Sequence, residues 1–421
     1  MAKEQKQPAA ISWIGQYLKD HKLFPQSCTL SAEDLHNVKE SAEGFMNELF
    51  RVSGSNGCSV VVKRVCAIPI SRTDSPEDRA KPPIDPARIR NENAVLIFWN
   101  QVSPGICPEI YLYDEPLGIT VMEDLSALKM LRHENSRMHQ YPMLASRMGR
   151  FFARNLFDSS ALNMTRYRFE KLCRYFENGA YDTLFFSVFQ SNSVVVTLER
   201  PMQLETRPLR QRIIDNPTIQ QKIKRLADRF LNAKECLIHT DIHASNIMID
   251  AKHIKVIDTE FAGFGPIAQD LGRFTASFVL NYLSWYGDRQ ADSKDVSAFQ
   301  DYLISQMIAL YDSFDQTFRQ LVEANMAINY PLQHLDVDHY LLAHFKEALL
   351  FTAINAASRL PDPALCHDLK RLGENRLYPT LLMLTIFEDL FTNRIAPPNM
   401  AAFTHYLKTL TVHHPRSAFQ L

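Results

Sequence analysis

Through the first 125 residues the apolar positions come mostly in short β-branched or alternating runs, and from about residue 126 they recur at helical spacing. Ile11–Leu23 has its apolar residues at Ile11, Ile14, Tyr17 and Leu18, which predicts a leading helix, and Thr29–Val38 reads as a second short helical piece. Phe45–Val52 and Cys58–Val65 read as strands joined by the turn Ser53-Gly54-Ser55-Asn56-Gly57. Residues 71–87 are polar and proline-rich, as in a surface loop. Arg88–Val102 reads as a helix, and Glu109–Tyr113 and Gly118–Glu123 as a further strand pair. Val121–Ser126 then leaves the sheet as a connection between two lobes.

Beyond that connection helices dominate. Tyr141–Ser159 is amphipathic through Leu144, Met148, Phe151, Phe152 and Leu156. Tyr175–Val196 mixes helical and loop character, and Ile219–Lys234 is a helix. Ala262–Pro266 reads as a turn, followed by helices over Ile267–Trp285, Ser297–Asn325, Val337–Ser358, Asn375–Asn393 and Asn399–Val412. No internal repeat is visible.

One stretch breaks the helical pattern. Asn246–Ile249 and His253–Ile257 are β-branched runs around the turn Asp250-Ala251-Lys252, which predicts a small hairpin. His239 and Asp241 precede it, and Asp258 and Glu260 follow it, so the hairpin is expected to draw these groups together. Asn246 lies five residues after Asp241. The catalytic loop of protein kinases has this spacing, with the Asp orienting the attacking hydroxyl and the Asn holding Mg²⁺. Phosphoryl transfer from ATP is the chemistry this pattern suits. Lys63, inside a β-branched strand, reads either as an edge-strand gatekeeper or as a lysine for ATP phosphates, and the later acidic cluster favours the second. Glu92, early in its helix, reads as the partner of that lysine or as a solvated acid. His239 reads mainly as a loop-shaping hydrogen-bond group, His243 as a substrate-pocket candidate, and Asp270 as a helix cap or loop brace.

Composition narrows the field. The chain has 421 residues with 46 basic and 47 acidic side chains, enough for a bilobal enzyme and with no net charge to argue for nucleic acid or a membrane surface. Its seven cysteines are scattered and form no C-x-x-C pair, so neither a zinc site nor a disulfide framework is expected. No secretory signal and no bilayer-length apolar run is visible, and the expected location is cytoplasmic.

Together these segments resemble the aminoglycoside phosphotransferase and choline kinase superfamily, and within it the methylthioribose kinases. The resemblance is carried by Glu43–Val52, Val60–Arg64, Met122–Ser126, Met148–Leu162, Leu237–Ile247, Lys255–Gly272 and Leu280–Trp285. It is strongest at Asp258–Pro266, where Asp-x-Glu stands in place of the protein-kinase Asp-Phe-Gly, and at Asp270-Leu271-Gly272. It implies an α+β, bilobal protein-kinase-like fold, with a small β-rich nucleotide-binding N-lobe over 1–125 and a large, mainly helical C-lobe over 126–421. It implies ATP and Mg²⁺ as cofactors, a small hydroxylated acceptor, and a homodimer. By residue, it implies Asp241 as the catalytic aspartate, Asp258 and Glu260 as metal ligands with Asn246, and Lys63 on the phosphates with Glu92. Gly44 to Asn47 would be the loop over the phosphates, and Glu123 and Leu125 the adenine connector through their backbone.

Three positions depart from that pattern. Thr240 stands where the family has glycine, Asn246 where it has serine, and no adjacent arginine pair occurs in the late helix, where Arg359 is the nearest substitute. Two acceptors therefore stay open: 5-methylthioribose, giving its 1-phosphate, or another small hydroxylated molecule such as an antibiotic. A catalytically inert binding protein is disfavoured by the joint presence of Lys63, Asp241, Asn246, Asp258 and Glu260.

Overall fold

Alternation puts Val60 and Val62 on one face of their strand and Lys63 on the other, and the fold of the first part of the chain follows from that. The computed structural model describes residues 7–35, 47–66, 88–179, 197–361 and 366–419. The proline-rich loop at 71–87, residue 44, and most of Tyr175–Val196 fall outside these.

Strands β1 (Leu30–Asp34), β2 (Glu48–Gly54), β3 (Ser59–Arg64), β4 (Ile110–Asp114) and β5 (Ile119–Glu123) form an antiparallel sheet of order β1-β2-β3-β5-β4. One face buries Phe50, Val52, Val60, Val62, Ile119 and Val121 against Ile14 and Leu18 of helix α1 (Gln7–Asp20). Helix α2 (Arg88–Val102) packs against β4 and β5, where Asn93 accepts the buried Thr120 hydroxyl at 2.8 Å.

Residues 30–34, expected to be helical, are instead the edge strand β1, paired from Leu30 opposite Gly54 to Asp34 opposite Phe50. Leu30 and Ala32 turn toward the core while Ser31 and Glu33 face water. That period of two met an available sheet edge, and pairing outweighed the helix preference of Leu, Ala and Glu, which is small per residue.

The chain divides into two compact units, Met1–Leu128 with Lys255–Glu260, and Lys129–Ile254 with Phe261–Leu421. The second is mainly helical. Its longer helices are α3 (Leu131–Ser136), α4 (Leu144–Ser159), α5 (Arg166–Tyr175), α6 (Arg207–Asp215), α7 (Pro217–Asn232), α8 (Ile267–Ser284), α9 (Ser293–Asn325), α10 (Val337–Ala357), α11 (Leu377–Phe391) and α12 (Met400–His413). Short strands complete it: β6 (Lys129–Met130), β7 (Cys236–Ile238) and β8 (Ile247–Ile249), with β9 (Ile254–Val256) at the crossing between units and then β10 (Gly263–Gly265). The expected turn at 262–266 thus contains a strand, since Gly263–Gly265 pairs antiparallel with Ile238–Cys236. The architecture is α+β, with a small β-rich first unit and a large helical second one.

Helix α8 is buried almost all round and packs on α10. Gly272 permits the approach, because a Cβ there would lie 2.6 Å from the Ala348 carbonyl oxygen. Helix α4 anchors β7: Asn155 donates to the Leu237 carbonyl at 2.6 Å, and the Leu237 amide donates to Ser159 at 3.0 Å. Strand β7 leads directly into the loop that carries Asp241. Among the described residues no helix is long and apolar enough to cross a membrane.

Candidate active site

In the first unit the charged residues collect on the Lys63 face of the sheet. Lys63 donates to Glu92 Oε1 at 2.7 Å and to Asp258 Oδ1 at 3.1 Å. Glu92 reaches it from the first turns of α2, and Asp258 from just beyond β9. Burial works against the Lys63 charge, but Glu92, Asp258 and Glu260 outweigh it and hold the ammonium above its ordinary value. Burial likewise raises the Glu92 carboxyl, against the pull of Lys63. Asp258 has φ 64°, in the left-handed region that Asp tolerates better than most residues. Its side chain keeps 39% exposure, the one carboxylate of this group open to solvent to that degree.

Glu260 is fully buried. Its Oε2 accepts from Arg88 Nε at 2.8 Å and from Asn47 Nδ2 at 2.9 Å. Asn47 Oδ1 in turn accepts from Arg88 Nη2 at 2.8 Å. The carboxylate expected to face a metal ion is therefore held by a guanidinium, and Asn47, expected over the phosphates, seats that pair. Arg88 was not among the sequence candidates, although its position four residues before Glu92 puts both on one face of α2. Glu123 and Leu125 have their backbones partly engaged: the Glu123 amide donates to Glu109 at 2.9 Å, and the Leu125 carbonyl accepts from Leu128 at 2.9 Å. The Glu123 carboxylate accepts from Lys255 at 2.8 Å. Residue 44 lies outside the described structure. Among the described residues no group of three or more His, Cys, Asp or Glu side chains is arranged to hold a metal ion.

In the second unit, residues 239–246 form a loop fixed from below by Asp270. Its carboxylate accepts the His239 amide at 2.7 Å and the Thr240 amide at 2.9 Å. Asp270 sits in the first turn of α8, whose N-cap is Pro266, so it is a loop brace rather than a cap. Burial pushes it up to about 6, with His239 and the two amides pulling the other way. Thr240 has φ 70°, a conformation costly for a β-branched residue, and its hydroxyl donates to the Phe261 carbonyl at 3.0 Å. His239 is buried and accepts the Asp241 amide on Nδ1 at 3.3 Å, which is a loop-shaping contact. Asn246 donates from Nδ2 to the Asp241 carbonyl at 2.9 Å, leaving Oδ1 as its acceptor atom.

Asp241 pairs with Arg273 of α8, and Arg359 lies 3.9 Å from the same carboxylate oxygen. Burial would raise the Asp241 carboxyl, but Arg273, His243 and Arg359 hold it well below the usual carboxylate range. His243 Nδ1 accepts the Ser245 amide at 3.2 Å, so the neutral ring carries its proton on Nε2, 3.5 Å from Asp241 Oδ1. Burial and Arg359 push His243 down to about 4, so it is uncharged at neutral pH. Arg273 Nη1 donates to Asn355 of α10 at 2.7 Å. A pocket next to this group is lined by Arg132, His243, Arg273, Leu280, Arg359 and Asp368. Arg273 and Arg132 were missed from sequence. The one signal for Arg273 was its place three residues after Asp270 on a helix that follows the motif.

The chain matches the phosphotransferase enzyme family over residues 37–303. It is 28% identical to a methylthioribose kinase of Bacillus velezensis over 375 residues, 88% of this chain and 89% of that one. A methylthioribose kinase of Bacillus cereus is 29% identical over 293 residues, 68% of each chain. Among solved structures it is similar to a glucosamine kinase, with TM-score 0.48 and 15% identity over 90% of this chain and 85% of the other.

Proposed function

We propose that this chain, which belongs to the phosphotransferase enzyme family, moves the γ-phosphoryl group of ATP onto a hydroxyl of a small sugar-like acceptor. The leading acceptor is 5-methylthioribose, the substrate named for the Bacillus relatives, with its 1-phosphate as product. The observation that carries the reading is Lys63, buried and held by Glu92 and Asp258. A lysine kept charged and aimed by a helix glutamate is what a kinase uses to hold ATP phosphates.

Among the described residues, the charges that meet around Lys63 fit a divalent cation. Lys63 and Arg88 supply two positive charges against the three carboxylates of Glu92, Asp258 and Glu260. Magnesium needs only one or two carboxylates, since phosphate oxygens and water complete its shell. Within the first unit the solvent-accessible Asp258 is the donor that would hold it. When bound it would neutralise phosphate charge. Glu260 enters the proposal as the anion that seats Arg88, leaving Asp258 as the exposed carboxylate for the metal.

Asp241 accepts a hydrogen bond from the acceptor hydroxyl and aims its oxygen at the γ-phosphorus. The new P–O bond forms as the bond to the β-phosphate oxygen breaks, and ADP leaves. With its carboxyl held low by Arg273, Asp241 is an orienting acceptor first, and it takes the hydroxyl proton only late, as the new P–O bond forms in a loose transition state. His239, Thr240 and Asp270 hold the loop so that this aim is kept.

ADP release with ATP, Mg²⁺ and 5-methylthioribose tests the reading. Asp241→Asn is expected to lower kcat by roughly 10²–10⁴-fold while the protein stays folded by circular dichroism, with a lower melting temperature because the partner of Arg273 is lost. Retention of wild-type turnover in that variant would sink the assignment of Asp241.

A further inference from the structure

Helix α10 reaches the Asp241 loop through the side chain of Asn355, which is buried together with Gln269, Arg273 and Thr240. Asn355 Oδ1 accepts from Arg273 Nη1 at 2.7 Å, and Arg273 Nη2 donates to Asp241 Oδ1. Asn355 Nδ2 donates to Gln269 Oε1 at 3.1 Å and to the Phe351 carbonyl, one turn back, at 2.9 Å. Gln269 Nε2 donates in turn to the Thr240 carbonyl at 3.2 Å. One amide thus starts two chains of hydrogen bonds. The first ends on the Asp241 carboxylate, and the second on the peptide group that joins Thr240 to Asp241. Chemistry sets the direction of every bond: a guanidinium only donates and a carbonyl only accepts, so the amides of Asn355 and Gln269 each have one orientation that suits both neighbours. Both hydrogens of Asn355 Nδ2 are engaged within the protein.

The two chains leave one oxygen of Asp241 open. The bond from Arg273 and the approaches of His243 at 3.5 Å and Arg359 at 3.9 Å all fall on Oδ1. Among the described residues no hydrogen bond reaches Oδ2. Resting on the reading of Asp241 as the group that orients the acceptor hydroxyl, we propose that Asn355 is a positioning residue: through Arg273 it fixes the Asp241 carboxylate, through Gln269 it fixes the backbone beneath it, and together these present Oδ2 to the hydroxyl. A misplacement of about 1 Å at such a group can cost roughly a hundredfold in rate, so a side chain that touches neither reactant still bears on turnover. The role needs a side chain that donates and accepts at once. An aspartate at 355 has the shape of asparagine, but it competes with Asp241 for Arg273 and has nothing to donate to Gln269.

Three variants test this: Asn355→Asp, which keeps the shape; Gln269→Met, which cuts only the chain to Thr240; and Asn355→Leu, which cuts both chains. With ATP, Mg²⁺ and 5-methylthioribose, each is expected to lower kcat by about 10–100-fold, with KM for the acceptor and for ATP within about threefold of wild type. In the Asp241→Asn background Asn355→Asp should change kcat by less than about threefold, because the group it aims is gone. Independent of turnover, amide hydrogen exchange read by mass spectrometry should speed up by at least about tenfold over residues 239–246 in Asn355→Asp, and stay as in wild type along α9. Wild-type kcat in the folded variants overturns the proposal. So does a loss carried by a raised acceptor KM, or one that recurs in full in the Asp241→Asn background, since Asn355 would then act on the acceptor or on the packing. Should Asn355→Leu fail to fold, the isosteric Asn355→Asp and Gln269→Met decide the matter. Faster exchange at 239–246 in a protein whose wild type releases no ADP would keep Asn355 as the brace of Asp241 and remove the kinase reading. ADP release that the three variants leave unchanged would do the reverse.

Discussion

Thr240 concentrates the residue-scale argument. Its φ of 70° is a position for which glycine is the usual choice, and the strain of a β-branched residue there is about 1–3 kcal/mol. Its two buried donors hold it, the hydroxyl to Phe261 and the amide to Asp270. Thr240→Gly relieves the strain but loses a hydrogen bond of about 0.5–1.5 kcal/mol and adds the backbone entropy of glycine, about 0.5–1 kcal/mol. The expected net change is within about 1 kcal/mol by urea denaturation. Thr240→Val keeps the strain and loses the bond, and is expected to cost about 1–3 kcal/mol. If valine proves as benign as glycine, the hydroxyl does not hold this turn. The departure from glycine at 240 was legible in the sequence. Its meaning was not, because a backbone angle and a hydrogen bond to residue 261 have no local signature.

At the scale of elements, α10 is tied to the approach to β7 by a part-buried ion pair, His344 Nε2 to Glu235 Oε1 at 2.6 Å. Burial opposes the imidazolium charge, but the hydrogen bond and charge of Glu235 outweigh it and raise His344. Glu235 moves the other way: burial is outweighed by His344, Arg229 and the Ile267 amide, and its carboxyl is lowered. The His344 contribution is thus fully present below its unfolded pKa, about 6.5, and is lost as pH rises through the higher folded value. The Glu235 contribution is present above its unfolded pKa, about 4.3, and is lost as pH falls through the lower folded value. His344→Gln is expected to cost about 1.5–3 kcal/mol near pH 6, with the difference from wild type shrinking toward pH 9. A cost that stays flat from pH 6 to 9, read from urea midpoints, would show that the charge is not what counts. The same scale holds the two revisions of secondary structure. Strands β1 and β10 exist because β2 and β7 offer them unpaired edges, which no window of five residues reveals.

For the whole molecule, the chain is a small-molecule phosphotransferase of α+β architecture, and nucleotide binding should register in its stability. A ligand at about a hundred times its Kd adds about 2.7 kcal/mol to the folded state it binds. ATP with Mg²⁺ is expected to raise the melting temperature by a few degrees, and EDTA or Lys63→Met to shrink the rise. No shift with ATP and Mg²⁺ would remove the nucleotide reading at its root. The sequence by itself determined the strand–turn–strand order of the first unit, the long helices of the second, and the motif from His239 to Glu260, because period and spacing are local properties. It also put Lys63 and Glu92 forward as partners. Only the tertiary structure decided that Glu260 is seated by Arg88 and Asn47, that Asp270 braces the loop, and that Arg132, Arg273 and Arg359 gather beside Asp241. Those three arginines come from elements spread across 228 positions, 132 to 359, and their chemistry exists only where packing such as that at Gly272 brings the elements together.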